Sequence, residues 1–147
     1  MRLFLTFFLG LTLLVACQNE PADDHAVMYE ASELAATMRV MVDDFESYRD
    51  RAQAGELTVE EVDAMLQRHL SIATDEPTTP GDIQPSFEVF TQAYEGNLRG
   101  LRDLIESGAG AVEQAEAFNH VLNTCVGCHQ DHCPGPIPRI QKLKVTE

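Results

Sequence analysis

The stretch Cys125-Val126-Gly127-Cys128-His129 carries the clearest chemistry in this 147-residue chain. On a helix, two cysteines three positions apart lie one turn apart on the same face. Their thiols can add to the two vinyl groups on one edge of a porphyrin, and the histidine that follows can offer a ring nitrogen to the iron. We therefore predict one covalent haem c, attached through Cys125 and Cys128, with His129 as an axial ligand.

A redox Cys-x-x-Cys pair and a zinc site are the alternatives to haem. Zinc takes four ligands in a tetrahedron, which one continuous helix can hardly provide. A redox dithiol favours a helix N-terminus, where the thiolate is stabilised, whereas this motif falls near the end of a predicted helix. Both alternatives fit less well than haem, although a metal could draw on five residues that lie within nine positions: Cys125, Cys128, His129, His132 and Cys133.

The N-terminus reads as an export signal. Arg2 precedes an apolar run from Leu3 to Val15 that is too short to span a bilayer as a helix. The run ends in Leu14-Val15-Ala16-Cys17, which resembles the lipobox of bacterial lipoproteins and implies lipidation of Cys17. An ordinary signal peptide cleaved near Ala16 is the alternative.

We therefore predict a lipoprotein signal peptide over residues 1–16, a polar tether over 17–25 and one cytochrome domain over 26–147. The predicted location is the periplasmic side of a bacterial cell envelope, with membrane attachment through the lipid. Export also suits haem attachment, which takes place outside the cytoplasm in bacteria.

The chain is strongly acidic, with 24 Asp and Glu residues against 10 Lys and Arg and a formal net charge of −14. Loss of residues 1–16 would remove the positive charge of Arg2, so the formal net charge would change from −14 to −15. This charge argues against a nucleic-acid-binding surface and would attract a redox partner with a basic docking face. The 44% hydrophobic composition is enough for one domain with a core.

Apolar residues recur at helical spacing in four segments. The first predicted helix covers about 26–51, and the second follows a capping box at Thr58 and Glu61 and runs to about Ala73. A proline-rich loop fills 75–85, the third helix starts near Ser86, and the fourth covers about 111–131. The buried stripe of the fourth helix is predicted to be Ala111, Ala115, Phe118, Leu122, Cys125 and His129.

The residues after the fourth helix form a tail with three prolines, which predict that no regular helix runs through Pro138. Ile137, Ile140 and Leu143 are expected to pack back on the domain. Cys133 is expected to be a packed or capping thiol.

Four amphipathic helices without a strand pattern predict an all-α, antiparallel four-helix bundle. With Cys-x-x-Cys-His near the end of the last helix, such a bundle resembles the class II c-type cytochromes, that is, cytochrome c prime and its low-spin relatives. The likeness covers about 26–143, and the position of the motif after three long helices distinguishes it from class I cytochromes. Further segments resemble a bacterial branch of such proteins: Ser32-Glu33-Leu34-Ala35, Met38-Arg39 and Cys133-Pro134-Gly135-Pro136-Ile137 with Arg139-Ile140. The Pro-Gly-Pro tail departs from typical cytochrome c prime.

The resemblance implies that the distal residue comes from the first helix and is Met in low-spin members. Met38 is the first choice for the sixth ligand and Met41 the second, because both fall on the buried face near the end of the fourth helix. Met at helical spacing also commonly fills a core. His69 is a further candidate, although a lone histidine on an apolar face is more often a hydrogen-bonded core residue.

Two arginines could hold the haem propionates, since a guanidinium binds a carboxylate in bidentate fashion. Arg39 and Arg139 are the candidates, and surface pairing with acidic residues is the alternative for each.

The sequence predicts electron transfer, because it offers a redox centre and a tether without an added catalytic constellation, and it does not predict an enzyme. The alternative is a five-coordinate haem that binds NO or CO, as many cytochrome c prime members do. The sequence allows a homodimer.

Overall fold

The computed structural model describes residues 30–145, and this part of the chain is helical with no β-strand. The predicted leader, tether and Cys17 lie outside the described residues. The helices are α1 Glu33–Ala54, α2 Val59–His69, α3 Phe87–Glu106, α4 Ala111–His132 and α5 Ile137–Leu143, with 3₁₀ turns at Leu70–Ala73 and Pro80–Asp82. The prediction of an all-α fold is confirmed.

Helices α1 to α4 pack in a ring, in which each contacts its sequence neighbour and α1 also contacts α4. Neighbouring helices run in opposite directions: the Leu34 N–H at the start of α1 donates to Glu76 O beyond α2. Similarly, Ser86 before α3 donates to Asp131 at the end of α4. This arrangement is compatible with a helical bundle, and α5 packs across α4 and α1.

The start of α1 is set by Ser32, whose hydroxyl accepts from the Ala35 N–H at 3.2 Å. The prediction that this helix begins near Ala26 is wrong for residues 30–32, which are not helical, and residues 26–29 lie outside the description. The helix ends at Gly55, which has a left-handed φ of 71°. A Cβ there would lie 2.6 Å from the Ala111 backbone nitrogen, so glycine permits the close approach of α1 to the start of α4.

The predicted capping box is confirmed. The Thr58 hydroxyl accepts from the Glu61 N–H, and the Glu61 carboxylate accepts from the Thr58 N–H at 3.0 Å. The second helix then runs as α-helix to His69 and tightens into a 3₁₀ turn that ends at Ala73. Its overall extent therefore agrees with the prediction.

The tail differs from the prediction, because α5 is a regular helix that includes Pro138. Proline is tolerated there because Pro138 occupies the first turn, where its missing N–H has no intrahelical acceptor. Ile140 and Leu143 are buried and Ile137 is half-buried, so the predicted packing of the tail is confirmed.

The core lies between the four long helices and is centred on Phe45 and Phe118, whose rings meet edge to face with centroids 5.4 Å apart. The predicted stripe of the fourth helix is buried at Phe118 and Leu122 and half-buried at Ala115, Cys125 and His129. Ala111 is exposed, so its place in the stripe is wrong.

Gln114 is buried in place of Ala111. Its amide donates to the Gly55 and Ala109 carbonyls and accepts from the Leu57 N–H, so this polar side chain joins the α1–α2 and α3–α4 connections. Among residues 30–145, no helix is both long enough and apolar enough to cross a membrane.

Candidate functional site

Three adjoining cavities meet between α1 and the end of α4, and together we call them the cleft. The first, of about 430 Å³, lies between α1, α4 and α5. The second, of about 360 Å³, lies between the start of α1, the loop around 77–83 and the end of α4. A third of about 30 Å³ lies deeper, against α3. Met38 on α1 and His129 on α4 line all three cavities, so both side chains border the middle of the cleft.

His129 is held in one tautomer. Its Nδ1 lies 2.8 Å from the Cys133 carbonyl oxygen. Because a carbonyl oxygen only accepts, Nδ1 carries the proton and donates it. The Nε2 lone pair is then available, and no protein hydrogen bond in the described residues engages it. A histidine that donates its other ring N–H to a backbone carbonyl is the arrangement that metal-ligating histidines adopt.

The two motif cysteines border the cleft on either side of its centre. Cys125 lines the first and third cavities, and Cys128 the third and second. Both are free thiols and half-buried, so both can reach one ligand that occupies the cleft.

The thiols have little thiolate character. Burial, together with the nearby Cys128, raises the pKa of Cys125 to about 12, and burial with Asp131 raises the pKa of Cys128 to about 11. A reactive redox dithiol requires the opposite shift. The local chemistry therefore disfavours the redox Cys-x-x-Cys interpretation.

Gly127, between the two cysteines, lies against Phe90 of α3. A Cβ on Gly127 would lie 3.2 Å from Cε1 of Phe90. A larger residue here would push Phe90 away from the deep cavity, which Phe90 also lines. The small residue inside the motif therefore lets α3 form the back wall of the cleft.

The two candidate methionines differ in burial. Met41 is 4% exposed and belongs to the core, while Met38 is half-buried and opens onto the whole cleft. Met41 reaches the first and third cavities, and Met38 reaches all three. Both contact the space that a ligand of His129 would occupy, and Met38 shares more of that space with His129.

Arg39 and Arg139 both line the first cavity. Arg139 donates to the Glu46 carboxylate at 2.9 Å, and both of these side chains are about half exposed. The second cavity has no arginine or lysine in its lining and includes Asp82 instead. A cofactor with carboxylate groups would therefore place them toward the first cavity.

The other two histidines that bear on ligation are fully engaged. His69 lies 2.6 Å from Tyr94 through Nδ1 and 2.9 Å from Asp44 through Nε2, and it lines none of the three cavities. The alternative that His69 is a hydrogen-bonded core residue therefore agrees with its contacts. His132 borders the second cavity, but its Nδ1 accepts from the Gln84 N–H at 3.1 Å and its Nε2 pairs with Ser86 at 3.3 Å.

Cys133 acts through its backbone. Its thiol is exposed, so the prediction of a packed side chain is wrong. Its N–H caps α4 by donating to the His129 carbonyl at 3.1 Å, and its own carbonyl fixes the His129 ring. Sequence reasoning missed this role because a backbone carbonyl leaves no residue-type signal.

Asn119 is a second residue that the sequence did not indicate. Its amide donates to the Val145 carbonyl and accepts from the Val145 N–H, each at 2.9 Å. This pair, which we call the clasp, ties the chain beyond α5 to the middle of α4. Because α5 forms one wall of the first cavity, the clasp also fixes that wall.

The donor set fits a covalent haem c: two thiols, an oriented imidazole, a thioether that lines the same cavities, apolar walls and two arginines at the first cavity. Within residues 30–145, no three or more His, Cys, Asp and Glu side chains group in a way that could hold a metal ion by themselves. Comparison of the chain with protein-family models, curated proteins and solved structures found no match.

Proposed function

We propose that this chain is a monohaem c-type cytochrome that transfers electrons, with its haem held in a four-helix bundle of the class II type. The observation that carries the proposal is the His129 ring, whose Nδ1–H is committed to the Cys133 carbonyl while its Nε2 remains available in a cleft lined by both motif cysteines. Such an imidazole is oriented for iron before the cofactor binds.

Four residues of the cleft would then have a defined role in holding the haem. Cys125 and Cys128 would hold the haem through thioether bonds, and His129 would supply one axial ligand, with Met38 the first choice for the other. When bound, the haem supplies a reversible one-electron centre. The apolar walls exclude water, which limits the change in solvation when the charge on the iron changes.

Arg39 and Arg139 would bind the propionates at the end of the first cavity. A propionate there would compete with Glu46 for the Arg139 guanidinium. The pairing of Arg139 with Glu46 is about half exposed, so its loss would cost little.

The wider context is also a proposal. Lipidation of Cys17 would tether the domain on the periplasmic side of a bacterial envelope, and the acidic surface would favour a redox partner with a basic docking face. We propose electron transfer and no enzymatic activity.

The test is expression with haem-attachment machinery, followed by extraction with acidified acetone. The colour should stay with the protein and with each single variant, Cys125→Ala or Cys128→Ala, because one thioether remains, whereas the variant that lacks both thiols should release any haem it binds. Cys133→Ala is the matched control, because it removes the third free cysteine near the motif while keeping both motif thiols and the backbone carbonyl that holds His129.

A haem that extracts from the unsubstituted chain, or a colourless product, would overturn the proposal. Addition of CO distinguishes the two haem functions: slow or absent binding supports electron transfer with a sixth protein ligand, and rapid binding supports the five-coordinate gas-binding alternative.

A further inference from the structure

A buried hydrogen-bonded chain crosses the bundle beside the cleft. The His69 ring is 2% exposed, and it connects Tyr94 on α3 to Asp44 on α1 at 2.6 and 2.9 Å. Asp44 also accepts from the Arg68 guanidinium at 2.8 Å. Because a carboxylate accepts, the His69 Nε2–H donates to Asp44, and Nδ1 accepts from the Tyr94 hydroxyl.

A small outer cavity of about 60 Å³ lies on the other side of this chain, lined by both His69 and Tyr94. This space is large enough for a water molecule. Three residues, Ile72, Thr91 and Tyr94, line both this outer cavity and the deep cavity of the cleft. One layer of side chains therefore separates His69 from the space that the haem would occupy.

We propose that His69 is a proton-binding site coupled to the haem, so that the protein takes up a proton when the iron takes up an electron. This inference rests on the proposed function. With the haem bound, His69 Nδ1 would gain one proton from solvent when the redox partner delivers one electron to the cofactor. The Tyr94 hydroxyl then turns its hydrogen toward the outer cavity, and Tyr94 accepts from the new Nδ1–H.

Charged and titratable groups from three helices surround His69 and act on its proton affinity in opposite directions. From α1, Asp44 stabilises an imidazolium at Nε2; from α2, Arg68 opposes it; and from α3, Tyr94 faces Nδ1 while Glu95 borders the outer cavity. Burial is the largest effect and lowers the pKa of His69. The ring is therefore neutral near neutral pH in the structure described, with its proton site vacant.

The coupling is electrostatic and reciprocal. An electron delivered to a haem in the cleft would remove one positive charge beyond the side chains that separate the two cavities, in a medium of low dielectric. This would favour protonation of His69. Reduction of the haem raises the proton affinity of His69 by some factor. Protonation of His69 must favour reduction of the haem by the same factor. The midpoint potential should therefore fall as pH rises between the oxidised-state and reduced-state pKa values of His69.

The test measures the midpoint potential of the holo-protein from about pH 4.5 to 8, together with an NMR titration of the histidine rings in each redox state. The His69 resonance should titrate at a higher pH in the reduced protein than in the oxidised protein. In His69→Gln the midpoint potential should no longer depend on pH in this range. In Asp44→Asn the pH range over which the potential falls should move to lower pH. His120→Gln is the matched control, since His120 is exposed and lies outside this network.

Haem propionates can also give a pH-dependent potential, and a slope that persists unchanged in His69→Gln would assign it to them and overturn the inference. Equal His69 pKa values in the two redox states would overturn it too, and this measurement needs no variant to fold. Either result with a covalently attached haem leaves the proposed function intact. A chain that binds no haem overturns both.

Discussion

Substitution of Met38 and Met41 separates ligation from packing, because the two side chains differ in burial while both reach the cleft. Met41 is 4% exposed, so Met41→Ala should cost about 2–5 kcal/mol of stability. Met38 is half-buried and its removal enlarges an existing cavity, so Met38→Ala should cost less than about 2 kcal/mol from packing alone.

The absorption spectrum should change more in Met38→Ala than in Met41→Ala, although Met41→Ala should lose more stability. We expect a low-spin ferric haem with a thioether-to-iron charge-transfer band at the red end of the spectrum. The band should disappear in Met38→Ala, which should become high-spin and bind CO rapidly. It should survive in Met41→Ala, which is the matched control for loss of a methionine from the same helix face.

The assay measures both quantities on the same proteins. Stability is taken from urea unfolding at saturating imidazole, which supplies the sixth ligand in every variant, so the difference reports packing. Loss of the band in Met41→Ala alone would make Met41 the ligand. A low-spin spectrum unchanged in both variants would refute methionine ligation altogether, and a high-spin parent that binds CO rapidly would favour gas binding.

Three further predictions concern stability, pH and the anchor. Thr58→Ala removes one half of the capping box and should cost about 1 kcal/mol in thermal unfolding, whereas Thr79→Ala, at a 3₁₀ N-cap without a side-chain bond, should cost little. Burial lowers the pKa of His69, so the unfolded chain binds this proton more tightly, and the unfolding free energy should fall as pH drops below about 6.5 toward the folded-state pKa. The loss is about 1.4 kcal/mol for each unit by which the pKa is lowered, and the same dependence in His69→Gln as in the parent would contradict it. Cys17→Ala should lose labelling by a fatty-acid probe and leave the membrane fraction, and unchanged fractionation would indicate a plain exported protein.

The sequence was a good guide where local chemistry decides the structure. The Thr58 capping box fixes where α2 begins. Apolar periodicity predicted two of the four buried positions of α4, Phe118 and Leu122, and missed Gln114 and Val121. These signals are local because they depend on side chains within one or two turns of each other.

The prediction for the tail is wrong because Pro138 falls in the first turn of α5, where proline removes no hydrogen bond. Other features lie beyond the sequence pattern because they depend on distant backbone. The Cys133 carbonyl that orients His129 and the clasp between Asn119 and Val145 are contacts to main-chain atoms, which any residue type can provide. The motif identified His129 as a ligand candidate, but only the fold could reveal what holds its ring.

The cleft draws its walls from parts of the chain that are far apart in sequence. The contact of Glu46 with Arg139 spans 93 residues, whereas α3 and α4 are joined by a short turn. Closing the longer loop costs more chain entropy, so the α3–α4 hairpin should form early and the α1–α4 and α1–α5 contacts late. During that interval Cys125 and Cys128 would stand on a formed helix without α1 over them. The order of folding thus leaves the thiols open to an incoming cofactor, and the arrival of α1 would then enclose the cofactor from the opposite side.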